Sequence, residues 1–323
     1  MPKHFLITRR IPACGIEHLE KYGKVTVNPH DRALTQDELI TLGHECDGWL
    51  TMLTDAVSDS ILEKCPKLRG ISNYAVGYNN IDVAACTRRK IAASNTPDVL
   101  TDATAELTWA LILATSRRVV EADGYVRRGQ WHGWSPLEFL GSAVTGKTLG
   151  IIGTGRIGCR VAEMARGFNM RIVYSGRRDN PALEQTMAAR RMELAELLNA
   201  ADIVSLHLPL TPGTRHILGP SEFEQMKPTA ILINTGRGPL IDETALIAAL
   251  RSRRIAAAGL DVFEYEPQLT PGLVELPNVV VLPHIGSATV ETRNKMAMMA
   301  AESLTDMMNG RRPPHCLNPE VYG

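Results

Sequence analysis

Three short segments in the last third of this 323-residue chain hold side chains suited to anion binding and proton transfer. They are Asn234-Thr235-Gly236-Arg237-Gly238, Gly259-Leu260-Asp261-Val262-Phe263-Glu264-Tyr265-Glu266-Pro267 and Leu282-Pro283-His284-Ile285-Gly286-Ser287-Ala288-Thr289. Each follows an apolar run that reads as a strand, and each offers one distinctive group: the Arg237 guanidinium, the Glu266 carboxylate, the His284 imidazole. Reduction of a 2-oxo acid needs this set. The substrate carboxylate needs a counter-charge, which arginine supplies bidentately. The developing alkoxide needs a proton, which histidine supplies near neutral pH. A carboxylate beside a histidine favours the charged ring and fixes its tautomer. Taken singly, Arg237 could close a loop, Glu266 could face solvent and His284 could cap a strand. Their recurrence at successive strand ends favours a common site.

Upstream, Gly153-Thr154-Gly155-Arg156-Ile157-Gly158 is a G-x-G-x-x-G sequence. It follows the strand-like Leu149-Gly150-Ile151-Ile152 and opens a helical run, the context a dinucleotide-binding loop requires. Gly153 permits the tight turn, Gly155 lets a pyrophosphate approach the backbone, and Gly158 lets helix and strand pack closely. Free N–H groups at the helix start meet the diphosphate. The next strand, Arg171-Ile172-Val173-Tyr174, leads into Ser175-Gly176-Arg177-Arg178. NAD enzymes of this fold carry an acid at the end of this strand for the ribose 2′-hydroxyl; here no acid stands between Arg171 and Arg178, and the pattern of the family that the chain resembles, named below, gives that place to Gly176. Arg177 and Arg178 offer charge to a 2′-phosphate and Ser175 a hydrogen bond, so NADPH is expected to be preferred, with NADH possible. The competing reading leaves both arginines solvated and gives the ribose to Asp179.

The elements that must position these groups form two series of short apolar runs. The first comprises 4–8, 24–28, 47–53, 68–73 and 90–94; the second comprises 147–152, 171–175, 202–208, 230–234, 256–262 and 278–282. Helical segments such as 57–64 and 80–89 lie between them. Strands alternating with helices imply βαβ units, and strands this apolar imply parallel sheets covered on both faces. Eleven strands are too many for one twisted sheet, so two Rossmann-like doubly wound α/β domains are expected. Long helices over 101–128 and 289–309 separate the series; in the second, Met296, Ala300, Leu304 and Met307 form a stripe that reads as core.

Composition narrows the class. The chain is 44% hydrophobic and 22% charged, with 35 basic and 35 acidic residues. That balance offers no general attraction to nucleic acid or to an anionic membrane. The six cysteines form no C-x-x-C pair and no zinc spacing, so reduced thiols in the cytoplasm and no metal are expected. The apolar run near the N-terminus is too short for a signal-peptide core, and no run approaches a membrane span.

The stretches VGYNNID (76–82), NTPDVLTDATAEL (95–107), GIIGTGRIG (150–158), INTGRGPLID (233–242), AAGLDVFEYEP (257–267) and LPHIGSAT (282–289) together make the chain resemble the D-isomer-specific 2-hydroxyacid dehydrogenases. Within that family it is most similar to the glyoxylate/hydroxypyruvate reductase branch, which includes 2-ketogluconate reductases. The resemblance implies a discontinuous, flavodoxin-like substrate domain of residues 1–98 and 287–323. It also implies an inserted NAD(P)-binding domain, 99–286, a homodimer, and a site in a cleft that closes on substrate. It makes Arg237 the ligand of the substrate carboxylate and keto oxygen, His284 the acid/base and Glu266 its partner. Backbone N–H groups of Val76 and Gly77 would hold the carboxylate, Leu53 would border the substrate, and Trp134 of the partner subunit would enter the pocket. Asp261 would meet the nicotinamide amide. Thr104, Arg156, Ile157, Leu208 and Pro209 would also touch the cofactor, as would Thr214, Thr235, His284 and Gly286. Formate dehydrogenases carry glutamine where Glu266 stands, and phosphoglycerate dehydrogenases often extend beyond position 323. A dinucleotide-sensing corepressor of the same fold is the alternative from another class; the neutral charge and the close match to reductases favour an enzyme.

Overall fold

The computed structural model describes residues 2–323. The chain divides into two compact units, one of Met1–Leu100 with Ser287–Gly323, the other of Thr101–Gly286. In chain order the first unit begins with β1 (Lys3–Ile7), α1 (Ala13–Glu20), β2 (Gly23–Val27), α2 (Gln36–Gly43), β3 (Gly48–Thr51), α3 (Asp59–Glu63), β4 (Gly70–Asn73), α4 (Val83–Arg88) and β5 (Ala92–Ser94). All five strands are parallel, in the order β2-β1-β3-β4-β5.

The second unit starts with α5 (Thr101–Ser116) and α6 (Val119–Arg127) and continues through β6 (Thr148–Ile152), α7 (Arg156–Met164), β7 (Arg171–Ser175), α8 (Pro181–Met187) and β8 (Arg190–Arg191). It then runs through α9 (Leu194–Ala200), β9 (Ile203–Leu206), α10 (Pro220–Phe223), β10 (Ile231–Asn234), α11 (Glu243–Arg251), β11 (Ala257–Leu260) and β12 (Val279–Val281). Its seven parallel strands lie in the order β12-β11-β10-β9-β6-β7-β8. Chain direction across the sheet reverses beside β6, which is where an open α/β sheet presents a crevice at its carboxyl edge. Apolar side chains fill both faces: Ile151, Val161, Ile172 and Tyr174 are buried on one side, and Leu198, Leu206, Leu232 and Leu246 on the other.

The chain then returns to the first unit as α12 (Val290–Met308), capped by the Thr289 hydroxyl on Thr292 N–H. Its Met296, Ala300, Leu304 and Met307 stripe is buried, as the spacing predicts. Helix α1 crosses it so closely that a Cβ on Gly15 would stand 2.9 Å from the Ala297 carbonyl. The proline-rich tail ends back on this unit. Asn318 accepts from Ala93 N–H and donates to the Ile91 carbonyl, covering the otherwise open edge of β5.

Two expectations change. The helix expected over 101–128 is broken, because Arg118 takes a left-handed conformation at φ 54°. The Ser116 carbonyl, which would continue the helix, instead accepts Ser142 N–H at 2.8 Å as the 139–142 segment crosses the helix end. Several strands also end earlier than their apolar runs do. Asp261 and Val262 stay buried yet lie beyond β11, since the run continues into a loop packed over the sheet.

Candidate active site

The strand ends of the second unit are level. Ser175, Ile152, Leu206, Asn234, Leu260 and Val281 pair in register across six neighbouring strands. At about 4.8 Å per strand, this row extends roughly 24 Å along one edge of the sheet. Every group singled out in this unit for catalysis or for the phosphates follows one of these ends.

At the β6 end the three glycines have separate physical reasons. Gly153 sits at φ +100°, and a Cβ there would lie 2.7 Å from the His207 carbonyl. A Cβ on Gly158 would lie 2.1 Å from the Gly153 carbonyl, so only glycine lets α7 start so close to β6. Gly155 faces open space, with nothing within 4 Å of a Cβ. That open space belongs to a cleft of about 610 Å³ lined by Gly153, Thr154, Gly155, Gly176 to Asn180, and His207 to Pro209. Its size and its place at the start of α7 fit a dinucleotide, with Gly153 and Gly155 at the phosphates. Arg177, Arg178, Leu208 and Pro209 line it as well. Arg156 and Ile157 form the first turn of α7, and Ser175 ends β7. Thr214 donates to the Pro209 carbonyl at 2.7 Å and so shapes the loop that bounds the cleft.

Two cleft residues escaped the sequence reading. Burial pushes the His207 ring down to about 3, so it lines the cleft uncharged, 2.8 Å from the Ser205 hydroxyl. Asn180 caps α8 through Leu183 N–H while its amide reaches the Thr154 carbonyl at 3.4 Å, tying the 176–179 segment to the glycine loop. The Asn180-Pro181 pair is legible as a helix start; the long-range bond is not.

Farther along the edge lie Arg237, Glu266 and His284. His284 Nδ1 and Glu266 Oε2 are 2.8 Å apart, and the two side chains are 27% and 28% exposed. The second Glu266 oxygen, Oε1, accepts Phe263 N–H at 2.8 Å, so the carboxylate is held by its own loop before it meets the ring. Burial alone would raise the Glu266 carboxyl, but the hydrogen bond and charge of His284, with Phe263 N–H and Arg237, bring it below its ordinary value. With Nδ1 engaged, Nε2 is the ring nitrogen left for a ligand. His284 sits at φ 55° in left-handed backbone, as residues at working sites often do.

The Arg237 loop is built by Asn234, whose amide donates to the Arg237 carbonyl at 2.9 Å and whose Oδ1 accepts Gly236 N–H at 3.0 Å. Burial lowers the guanidinium pKa and the Glu266 charge opposes that shift. The next residue brings the two loops together: a Cβ on Gly238 would stand 1.8 Å from the Phe263 carbonyl. Asp261 is buried beneath His284. Its oxygens accept Ile285 and Gly286 N–H groups, both at 2.8 Å, so it orients the segment that carries the imidazole. Burial raises its carboxyl above the ordinary value, with those N–H groups and His284 opposing. Thr104 lies against Gly286, and the Thr235 hydroxyl is 2.8 Å from that of Thr108. Behind the Glu266 loop, Glu264 pairs with His216 at 2.6 Å and Arg215 at 3.0 Å, and Glu243 accepts Glu264 N–H at 2.8 Å.

In the first unit, Val76 and Gly77 follow β4. Asn95 and Asn73 hold their carbonyls at 2.7 and 2.9 Å. Among the described residues no protein acceptor takes either N–H group. Leu53 is 36% exposed, in a loop fixed by Asn80 on the Met52 and Asp55 carbonyls. Trp134 is 84% exposed in the 128–143 segment of the second unit. Among the described residues no cluster of His, Cys, Asp or Glu could hold a metal ion, and no helix is long and apolar enough to cross a membrane.

A parallel seven-stranded sheet with a dinucleotide loop at its reversal point, and an Arg, Glu and His farther along the same edge, define a nicotinamide-dinucleotide-dependent oxidoreductase. Residues 109–286 match the D-isomer specific 2-hydroxyacid dehydrogenase NAD binding domain. The chain is 48% identical over 324 residues to a glyoxylate reductase of Thermococcus litoralis, covering 99% of this chain and 98% of that protein. It is 49% identical over 321 residues to a glyoxylate reductase of Aeropyrum pernix, covering 98% and 96%. A solved NADPH-dependent glyoxylate/hydroxypyruvate reductase of Sinorhizobium meliloti, in complex with NADP and malonate, superposes with a TM-score of 0.86 at 29% identity, covering 98% of this chain and 97% of that one. The protein belongs to the D-isomer-specific 2-hydroxyacid dehydrogenase family and is an NAD(P)-dependent dehydrogenase.

Proposed function

We propose that the protein reduces glyoxylate and related short 2-oxo acids, hydroxypyruvate and 2-ketogluconate among them, to D-2-hydroxy acids, with NADPH preferred. The observation that carries this reading is the 2.8 Å His284–Glu266 pair, anchored by Phe263 N–H and neighboured by Arg237. The bound dinucleotide supplies the reducing equivalent at C2. Arg237 binds the substrate carboxylate and orients the keto oxygen, with the Val76 and Gly77 N–H groups as further donors. His284 delivers a proton from Nε2 to the oxygen that becomes the alkoxide. Glu266 holds the ring by Nδ1, while Asp261 holds the segment on which the ring stands and would meet the nicotinamide amide. Gly176, Arg177 and Arg178 favour a 2′-phosphate.

A homodimer is part of the same reading. Val119, Val120, Val126, Trp131, Trp134 and Leu137 are each more than half exposed on the second unit. An apolar surface of this kind marks an interaction site; in a dimer built on it, Trp134 would line the pocket of the partner subunit.

The test is NADPH oxidation on adding glyoxylate, hydroxypyruvate or 2-ketogluconate, with NADH in parallel, compared by kcat/KM. Turnover with a preference for NADPH is the expected result. Absence of turnover with every 2-oxo acid would leave a dinucleotide-sensing binding protein as the better reading, and equal use of NADH would remove the cofactor assignment.

A further inference from the structure

The segment between β7 and α8 lines the cleft, and its charges contradict one another. Arg177 and Arg178 line the cleft, but so does Asp179, whose charge opposes a 2′-phosphate and suits a ribose hydroxyl. Three donors on one side chain resolve it. Arg191 Nε and Nη2 donate to the Gly176 carbonyl at 3.3 and 3.0 Å, and Nη1 donates to Asp179 Oδ1 at 3.1 Å. Arg191 belongs to the two-residue edge strand β8, in register with Tyr174 of β7. The Tyr174 hydroxyl accepts Asn180 N–H at 2.8 Å and donates to Glu184 at 2.6 Å. The segment is thus pinned at its far end by Asn180 and drawn toward the sheet edge by Arg191.

We propose that Arg191 is a positioning residue for cofactor choice: it occupies Asp179 and fixes the Gly176 carbonyl, so that the segment accepts a 2′-phosphate in preference to a 2′-hydroxyl. The proposal rests on the reading that NADPH is preferred. Arg191 is 38% exposed and Asp179 68%, so their ion pair adds little to the stability of the fold. Its effect falls on the ligand. Without Arg191, Asp179 is an uncompensated anion on the wall that meets the 2′-phosphate, and it is free to accept from a ribose hydroxyl instead. The Gly176 carbonyl also loses both donors that set its direction. A Cβ on Gly176 would meet Thr154 Oγ1 only at 3.4 Å, so the surface there is open enough for a phosphate to approach. A lysine at 191 keeps the charge and loses the fork that spans two acceptors.

The experiment measures binding of 2′,5′-ADP and of 5′-AMP to the full chain by calorimetry, with kcat and KM for NADPH and NADH alongside. The variants are Arg191→Ala, Arg191→Lys, Arg191→Ala with Asp179→Asn, and Arg177→Ala. Arg191→Ala is expected to lower the affinity ratio of 2′,5′-ADP over 5′-AMP by about 5- to 30-fold. The kinetic change should fall on cofactor KM, Arg191→Lys should keep only part of the ratio, and adding Asp179→Asn should recover most of it. An unchanged ratio in Arg191→Ala, with a lowered one in Arg177→Ala, overturns the proposal and leaves the NADPH reading standing. Loss of the ratio in Arg191→Ala without recovery by Asp179→Asn also overturns it. A wild-type ratio near one that does not respond to Arg177→Ala overturns the NADPH reading itself.

Discussion

The His284–Glu266 pair is asymmetric: the carboxylate is tied to its own loop through Phe263 N–H, and the ring is tied to the carboxylate. Removing the ring removes the proton donor. His284→Ala is expected to lower reductive kcat on the order of 10²–10⁴-fold, read by steady-state assay. Glu266→Gln keeps the shape and removes the carboxylate that holds the ring at Nδ1, so reductive kcat should fall roughly 10-fold or more; a wild-type kcat in that variant would defeat the pairing. The stability consequence depends on pH. Glu266 is depressed in the fold, so its contribution is present above the ordinary carboxylate range and is lost as pH falls through the depressed value. Urea titrations below about pH 5 should therefore show a smaller decline for Glu266→Gln than for the wild type. Arg237→Lys should raise KM for the 2-oxo acid while leaving cofactor binding little changed, because a lysine cannot span a carboxylate bidentately. Weaker NADPH binding with an intact substrate KM would mean the assignment is wrong.

At the scale of elements, the strand ends set the spacing of the groups and the glycines set how closely the loops approach. Gly238 is the most constrained of these: a side chain there has no room beside the Phe263 carbonyl, and Glu266 stands three residues beyond that carbonyl. Gly238→Ala is expected to displace the 263–266 loop, lowering kcat roughly 100-fold and Tm by several degrees, as a misplaced catalytic group does. Wild-type kcat in that variant would show that the loop adjusts freely. The cofactor segment behaves differently, since Gly176 has room. Gly176→Asp with Arg177→Ala should fold normally and invert the NADPH to NADH ratio of kcat/KM, mostly through cofactor KM, because the 2′-phosphate is remote from the reacting carbon.

For the molecule as a whole, the exposed apolar side chains between Val119 and Leu140 are the feature that a single chain leaves unexplained. Sedimentation should show a dimer, and Trp134→Ala should raise KM for the 2-oxo acid if that tryptophan serves the partner subunit. A monomer at micromolar concentration would end that idea. Ligand linkage adds a global check. NADPH at a hundredfold its Kd should stabilise the folded chain by about 2.7 kcal/mol, and NADH at the same concentration by less.

Much of this is legible in the sequence. Sequence alone determined the parallel α/β class, the glycine loop and the three strand-end segments, because apolar periodicity and glycine requirements are local and survive without knowledge of packing. Helix α12 and its Met296–Met307 stripe were readable for the same reason. Tertiary structure decided the rest. Arg118 breaks a helix that local propensity would continue, because a distant segment takes the Ser116 carbonyl. Asp261 spends its carboxylate on Ile285 and Gly286, some 24 residues away. Arg191 sits in an unremarkable Arg-Arg pair and acquires its role only because β8 lies beside β7. Such hydrogen bonds are long-range and leave no period in the sequence. Only the folded chain brings their partners within 3.3 Å.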